Sequence, residues 1–458
     1  MTVGEGPVLR REVGHPAGTA VDGDPSPPSE VRRVTASTFA GNTIEYYDFI
    51  LYGSAAALIF GPLFFSNLSP AMATIASFST LATGYLCRPL GGLLFGYLGD
   101  RFGRKPTLLA TMVLMGLATG LIGLLPTTSD VGIWAPVMLI ALRLTQGIAV
   151  GGEWGGAALM TAEHAPPARR GWITAIGQAG QPSGGALAMG AMALVALLPS
   201  EQLLSWGWRI PFLVSFALLL IALYMRVRIS ESPLFEELQR AENSQRKQRR
   251  PVSELFRDHR GALLRGILVS IPPSLMVTLV SSFCVAYAVG AGHSRSTVLT
   301  AVGVAFATAI PTNPIYGHLS DRLGRRPVYA AGTLAVAVLV FPLFWAIDSG
   351  STLWLFVAFI VAYALVAPAI GAGLAAILSE MFTTPVRYTG VSMSFQIGAI
   401  ISGLFPVAAT YLLVLGDQRP VWVAVLVLVI ALLSTLIVTR IRESSGTRLT
   451  LDAPEETR

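Results

Sequence analysis

Five ionisable residues stand inside long apolar stretches of the sequence: Glu45, Asp48, Arg88, Arg143 and Glu153. Burial disfavours the charged form of a carboxylic acid, whereas a neighbouring arginine favours it. An anion that engages the arginine would weaken its grip on the carboxylate and allow that carboxylate to take up a proton. The residue types therefore predict a site that couples proton binding to anion binding, with Glu45, Asp48 and Glu153 as proton-site candidates.

Helical spacing places these residues on two faces. Asn42, Glu45 and Asp48 follow one another at steps of three, so they share one face of a helix. At about 100° per residue, a second helix carries three polar residues within about 80° of one another: Arg143, Gln146 and Glu153. Both faces are predicted to meet around one site, although a purely structural network of buried ion pairs remains the alternative.

Polar residues near these faces are candidates for substrate contact. Arg143 is the first choice for the substrate or coupling cation, and Arg88 is second because Pro89 follows it and favours a structural role. The full candidate set is Arg143, Gln146, Asn42, Gln178, Arg88 and Tyr47. Packing is an equal alternative for Gln178 and Tyr47.

Composition indicates a membrane protein. Hydrophobic residues make up 53% of the chain and charged residues 13%, whereas about a quarter of a soluble protein is charged. The net charge of +6 lies in particular loops, which argues against nucleic-acid binding. Cys87 and Cys284 offer neither a disulfide framework nor metal-ligand spacing. No metal, cofactor or ATP-binding loop is expected, so the energy must come from ion or substrate gradients.

The elements that position these residues are long apolar helices. Crossing a bilayer takes about 20 apolar residues, and the apolar runs here are unalternating, which favours helices over strands. The predicted spans are 36–60, 72–97, 107–126, 133–160, 172–197, 208–226, 262–289, 297–317, 328–347, 352–378, 389–415 and 420–440. The prediction is an all-α polytopic membrane protein with twelve transmembrane helices.

The basic residues predict the orientation and the domains. With both termini in the cytoplasm, 27 Lys and Arg residues lie in cytoplasmic segments and three in outer ones, as the positive-inside rule requires. The predicted location is the inner membrane. The predicted domains are a disordered tail (1–33), a six-helix half (34–226), a cytoplasmic linker (227–260), a second six-helix half (261–440) and a cytoplasmic tail (441–458).

An internal repeat supports the two halves. Residues 96–106 and 317–327 are identical at seven of eleven positions, and a Glu followed seven residues later by Arg occurs after the fourth helix of each half. The Asp of the motif can accept hydrogen bonds from a helix N-terminus and pair with Arg. We expect these residues to form a latch at the cytoplasmic face: Gly96, Asp100, Arg101, Gly103, Arg104, Asp321, Arg322, Gly324, Arg325, Glu163, Arg170, Glu380 and Arg387.

These motifs resemble those of the major facilitator superfamily. The repeated loop is similar to its Gly-x-Leu-x-Asp-Arg-x-Gly-Arg signature, and Arg143-x-x-Gln146-Gly147 resembles its helix-4 motif. Residues 41–49, 88–92, 151–156 and 205–212 resemble its metabolite:proton symporter family, and most closely the shikimate-type branch of that family. The resemblance covers residues 34–440.

The resemblance implies a carrier, not an enzyme. We expect proton-coupled uptake of a small polar metabolite, an organic acid such as shikimate or 2-oxoglutarate, by alternating access. Two alternatives are proton-driven efflux of amphipathic compounds, suggested by residues 177–185, and uptake of proline or betaine. A membrane-embedded enzyme or sensor finds no support in the motifs. The expected partners are a small-molecule substrate and the lipid bilayer, with a monomer as the functional unit.

Overall fold

The computed structural model describes residues 27–102, 104–151, 161–162, 164–227, 255–257, 259–382, 384–441 and 443, with only the backbone at some of them, including 99–102 and 104–106. Glu153, Glu163 and Gly103 lie outside the described residues, as does most of the predicted linker. Within the described part the chain is helical and has no strand. This agrees with the all-α prediction.

In the part of the first half that the structure describes there are six long helices. The first begins at Pro28, six residues inside the predicted N-terminal tail, because a proline is favourable in the first turn of a helix. The helices are α1 (Pro28–Leu58), α2 (Pro70–Leu86 and Arg88–Phe102), α3 (Arg104–Ile122), α4 (Trp134–Val150), α5 (Arg170–Gln178 and Gly180–Val195) and α6 (Arg209–Val227).

The second half repeats this plan. Two of its helices contain π-helical turns, and several contain prolines. The helices are α7 (Arg260–Thr278, Leu279–Phe283 and Cys284–Gly290), α8 (Arg295–Leu323), α9 (Arg325–Asp348), α10 (Thr352–Phe359, Ile360–Val366, Ala367–Gly371 and Leu374–Met381), α11 (Thr384–Leu415) and α12 (Val421–Val438).

Apolar length differs between the two halves. Among the described residues, seven helices are long and apolar enough to cross a membrane, namely Ser200–Ile221, which includes the first part of α6, and all six helices of the second half. Helices α3 and α4 contain shorter apolar stretches. Glu45 and Asp48 lower the mean hydropathy of α1, and α2 and α5 are interrupted at Cys87 and Ala179. The helices of the first half are therefore less apolar, or have shorter uninterrupted apolar stretches, than those of the second half.

The most extensive packing between the two halves involves two helix pairs, and α1 also packs against α7. Helix α5 packs against α8 through both of its segments, and α2 packs against α11. The turn between α8 and α9 lies at one end of the bundle, next to the start of α5. We call this the motif end, because it holds the repeated motif at residues 317–327. The opposite end contains Arg209 and Arg295. Contacts join the halves at both ends, so the structure is a closed form.

Candidate functional site

Asp48 lies in the interior of the first half. It is 3% exposed, and its Oδ1 accepts a hydrogen bond from the Ser215 hydroxyl of α6 at 2.7 Å. Its Oδ2 has no hydrogen-bond partner among the described atoms. The Thr119 hydroxyl of α3 lies beside the carboxyl group and donates to the Met115 carbonyl at 3.0 Å. One oxygen of a buried carboxyl group is therefore available to a proton.

A chain of polar side chains joins Arg143 to this carboxyl group. Arg143 Nη1 donates to Gln146 Oε1 at 3.0 Å, and Gln146 Nε2 donates to the Thr119 hydroxyl at 2.7 Å. Arg143 is 2% exposed and lies within electrostatic range of Asp48. Its Nε and Nη2 have no hydrogen-bond partner among the described atoms. The predicted neighbours Arg143 and Gln146 thus connect α4 to α1 through a residue of α3.

Aromatic rings surround both buried arginines. The Arg143 guanidinium lies 4.1 Å from the ring centre of Tyr52 and 4.8 Å from that of Phe49. The Arg88 guanidinium lies 4.6 Å from the ring centres of both Phe49 and Tyr85. A ring face attracts a cation by about 0.5–2 kcal/mol. Phe49 of α1 therefore contacts both Arg88 of α2 and Arg143 of α4.

Close helix packing fixes the position of Arg143. Gly84 of α2 faces the arginine, and a Cβ at this position would lie 2.5 Å from Arg143 Nε. Only a glycine lets the guanidinium lie so close to the backbone of α2. Gly84 is not among the residues predicted from the sequence, because the motif that contains Arg143 lies in another helix.

Glu45 and Asp48 share a small cavity inside the first half. Its volume is about 10 Å³, close to the minimum that one water needs. Glu45 is 5% exposed. The remaining lining comes from α1, α3 and α6: Gly41, Ile44, Met112, Met115, Gly116 and Leu219. The predicted acidic face therefore points into the first half and not into the space between the halves.

A second cavity lies between the halves and measures about 40 Å³. Gln178 and Gln181 of α5 line it from the first half, and Gln181 donates a hydrogen bond to Gln178. Asn313 of α8 and Tyr363 of α10 line it from the second half. The predicted residue Gln178 thus reaches the central cavity, together with polar residues that the prediction did not include.

Two other predicted substrate residues hold the fold together in this state. Asn42 Nδ2 donates to the Gly177 carbonyl at 3.0 Å, which joins α1 to α5. The Tyr47 hydroxyl donates to the Pro211 carbonyl at 2.8 Å, which joins α1 to α6. Both acceptors are backbone groups close to prolines or glycines. The structure therefore gives both side chains a structural partner.

At the motif end, Asp321 binds the N-terminus of a helix in the other half. Its Oδ1 accepts from the Gly171 N–H and its Oδ2 from the Trp172 N–H, each at 2.8 Å. These N–H groups belong to the first turn of α5, where no carbonyl of the helix can accept from them. Arg325 Nη1 donates to the same Oδ1 at 2.6 Å. The predicted contact of the motif aspartate is present in the second copy.

Glu380 connects the same two halves. Arg170 Nη1 donates to Glu380 Oε1 at 3.1 Å from the first half, and Arg325 Nη2 lies 3.6 Å from the same oxygen within the second half. All three side chains are at most 3% exposed. Arg387, the repeat counterpart of Arg170, donates from Nε to the Phe382 carbonyl at 3.1 Å. We call Asp321, Arg325, Glu380 and Arg170 the latch.

The remaining gate residues divide into two groups. Arg322 is exposed, and Gly324 adopts φ +103°, a conformation that favours glycine, between α8 and α9. The structure describes only the backbone of the others, which lies at the junction of α2 and α3: Gly96, Asp100, Arg101 and Arg104. The first copy of the latch therefore stays a prediction.

One latch contact comes from a residue that the prediction missed. Glu443, after the last helix, accepts from the Arg325 N–H at 2.9 Å through Oε1 and from the Arg326 N–H at 3.0 Å through Oε2. It therefore caps the helix that carries Arg325. The internal repeat of the sequence could have indicated Glu443, because Glu443-Ser444 after the second half matches Glu231-Ser232 after the first half.

Two family models of membrane transporters match this chain, one in each half. The family model for "Sugar (and other) transporter" matches residues 34–254, and the model for "Major Facilitator Superfamily" matches residues 274–456. The shikimate transporter of Escherichia coli (strain K12) is 40% identical over 379 residues, which covers 82% of this chain and 86% of that protein. The proline/betaine transporter of Salmonella typhimurium is 32% identical over 426 residues, covering 91% and 84%.

A solved structure agrees on the fold. The D-xylose-proton symporter has a TM-score of 0.72 at 19% identity, and the match covers 92% of this chain and 100% of that one. The relatives are multi-pass membrane carriers of small molecules and not enzymes. The chain therefore belongs to the major facilitator superfamily, within the group of metabolite transporters that the sequence motifs predicted.

Proposed function

We propose that this carrier imports a small polar organic acid together with protons. The observation that supports the proposal most directly is the buried connection from Asp48 through Thr119 and Gln146 to Arg143. A relative that shares 40% of its residues is a shikimate transporter. The proposed substrate class is therefore a carboxylate such as shikimate or 2-oxoglutarate.

Coupling follows from competition for a buried cation. When Asp48 is charged, Arg143 stabilises it across the interior of the first half. A substrate anion that approaches this region is attracted by the positive charge of Arg143. It thereby weakens the stabilisation of charged Asp48 by that arginine. Burial then favours the neutral, protonated acid. Proton and anion therefore enter together, and Glu45 and Glu153 are further candidates for carrying the proton.

Alternating access requires the latch to open and close. The latch joins the two halves at the motif end, while the central cavity of about 40 Å³ has room for only a few waters. Opening the motif end separates Asp321 from the first turn of α5. The motif end faces the cytoplasm in the proposed orientation, because the basic residues lie predominantly on that side.

The proposal also includes the membrane location, the topology, the oligomeric state and the coupling ion of the carrier. It lies in the inner membrane with both termini in the cytoplasm. It acts as a monomer, because the central cavity is formed by two halves of one chain. The proton is the coupling ion, and no other cofactor takes part.

Uptake into proteoliposomes tests the proposal. The panel is shikimate, 2-oxoglutarate, citrate, proline and betaine, with an inward proton gradient and a protonophore control. We expect accumulation of a carboxylate that the protonophore abolishes. Accumulation that persists with the protonophore would contradict proton coupling. Proton-linked uptake of betaine or proline alone would instead support the alternative substrate class, for which relatives 31–32% identical exist.

A further inference from the structure

Arg88 and Arg143 differ in how their guanidinium groups are held. Arg143 Nη1 donates to Gln146 and belongs to the chain that leads to Asp48, while its Nε and Nη2 have no partner among the described atoms. Among the described residues, none accepts a hydrogen bond from the Arg88 guanidinium, and its buried Nε lacks a partner. Arg88 is nevertheless buried, with only 5% of its surface exposed. A buried cation without an acceptor is costly unless an anion completes it in some state of the protein.

Among the described residues, the contacts of Arg88 are with aromatic rings, and its Nε has no hydrogen-bond partner. The guanidinium lies 4.6 Å from the ring centres of Phe49 and Tyr85, which themselves meet edge to face with centres 4.8 Å apart. Stacking on ring faces occupies the faces of a guanidinium, while its N–H groups point outward in the plane of the group. This is the geometry in which an arginine binds a carboxylate through two parallel hydrogen bonds.

The surroundings of Arg88 reach the space between the halves. Tyr85 packs against Gly403 of α11, in the second half. Tyr46 is half-buried, lies one turn before Phe49, and is within electrostatic range of Glu45, Arg88 and Tyr363. Tyr363 lines the central cavity. Tyr46 is thus close both to Arg88 and to a residue that lines the central cavity, and Glu45 lies within electrostatic range of the same tyrosine.

We propose that Arg88 is the residue that binds the carboxylate of the substrate, while Arg143 remains the internal counter-charge of Asp48. The inference rests on the proposed function and divides its two tasks between two arginines. The anion enters from the central cavity past Tyr363 and Tyr46 and pairs with the free edge of Arg88. Phe49, which contacts both guanidinium groups, is the ring through which substrate occupancy reaches Arg143.

Ligand binding to the purified full-length protein in detergent, without any gradient, tests this division. Thermal stabilisation is measured with shikimate, 2-oxoglutarate and citrate, each beside its fully methylated ester, which lacks the carboxylate charges. The variants are Arg88→Gln, Arg88→Lys and Arg143→Gln, and the control is Arg419→Gln at an exposed loop position. Arg88→Lys keeps the charge, and hence the fold, but loses the planar fork.

We expect the wild type and the control to bind one acid at least tenfold more tightly than its ester. In Arg88→Gln this preference disappears because the acid weakens while the ester is unaffected, and Arg88→Lys falls in between. Arg143→Gln keeps the preference and loses only proton-driven accumulation in liposomes. A wild type without preference for any acid, an Arg88→Gln that retains it, or its loss in Arg143→Gln would each overturn the assignment. Because no gradient is present, failure of proton coupling leaves this result unchanged.

Discussion

Asp321 accepts a hydrogen bond at 2.8 Å from the backbone N–H of Gly171, although the two residues lie 150 positions apart and in opposite halves. The bond uses the free end of a helix dipole as well as a donor that has no other partner. Asp321 is therefore the direct link between the repeated loop of one half and the first turn of α5 in the other.

Replacing Asp321 by Asn is expected to open the motif end. The amide can accept from only one of the two N–H groups and has no charge for Arg325. Hydrogen bonds to charged groups contribute about 1.5–3 kcal/mol, so we expect a shift of at least tenfold toward the open form. The measurement is the labelling rate of a cysteine introduced at Ala175. Asp348→Asn, which removes an acid from the opposite end, should leave the rate unchanged, and an unchanged rate in Asp321→Asn would contradict the latch.

Asp48→Asn is expected to abolish proton-driven accumulation while substrate exchange across the membrane continues. The amide preserves the size of the side chain and a bond to Ser215, but it does not bind a proton at physiological pH. Counterflow and accumulation are compared in the same liposomes. Asp417→Asn, in an exposed turn, is the matched control. Full accumulation in Asp48→Asn would transfer the proton role to another acid.

Gly84→Ala is expected to displace Arg143, because the added Cβ would lie 2.5 Å from Arg143 Nε. Overpacking of this kind costs about 1–3 kcal/mol, so transport should fall and the melting temperature should drop. Gly190→Ala is the matched control in α5, since nothing lies within 4 Å of its added Cβ. That variant should be as stable as the wild type or more so, by up to about 1 kcal/mol. Equal behaviour of the two variants would argue against a fixed position for Arg143.

Glu443→Ala is expected to loosen the start of α9. The carboxylate accepts from the Arg325 and Arg326 N–H groups, and loss of a helix cap costs about 0.5–2 kcal/mol. A lower melting temperature and faster labelling at the motif end should follow together. Glu201→Ala, at an exposed position near the opposite end, controls for the loss of an acid. A change in melting temperature without a change in labelling would limit Glu443 to a structural role.

The sequence allowed the helices and the contact of Asp321 with a helix N-terminus to be predicted for a clear physical reason. Long apolar runs and a doubled charged motif are local patterns, and Asp321 follows from one copy of that motif. The neighbours of Asp48 and Arg143 on other helices could not be predicted from the sequence. Ser215, Thr119 and Gly84 belong to three different helices and have no distinctive spacing. Their roles arise only when α1, α2, α3, α4 and α6 pack together.

The roles of individual polar side chains were also hard to predict. Asn42 and Glu45 share a helix face in the sequence, yet Asn42 meets a backbone carbonyl of α5, whereas Glu45 lines a cavity between α1, α3 and α6. Three residues correspond to about 300° around a helix, so the two side chains point about 60° apart. In a tightly packed bundle, that angle is enough to give them different neighbours.

Glu380 has a cationic neighbour in each half, Arg170 across the boundary and Arg325 on its own side. When the halves separate, Glu380 loses Arg170 but travels with Arg325, so its charge is never stripped of compensation. We therefore expect the separation of the halves to cost less electrostatic free energy than breaking an isolated buried pair of opposite charges would cost.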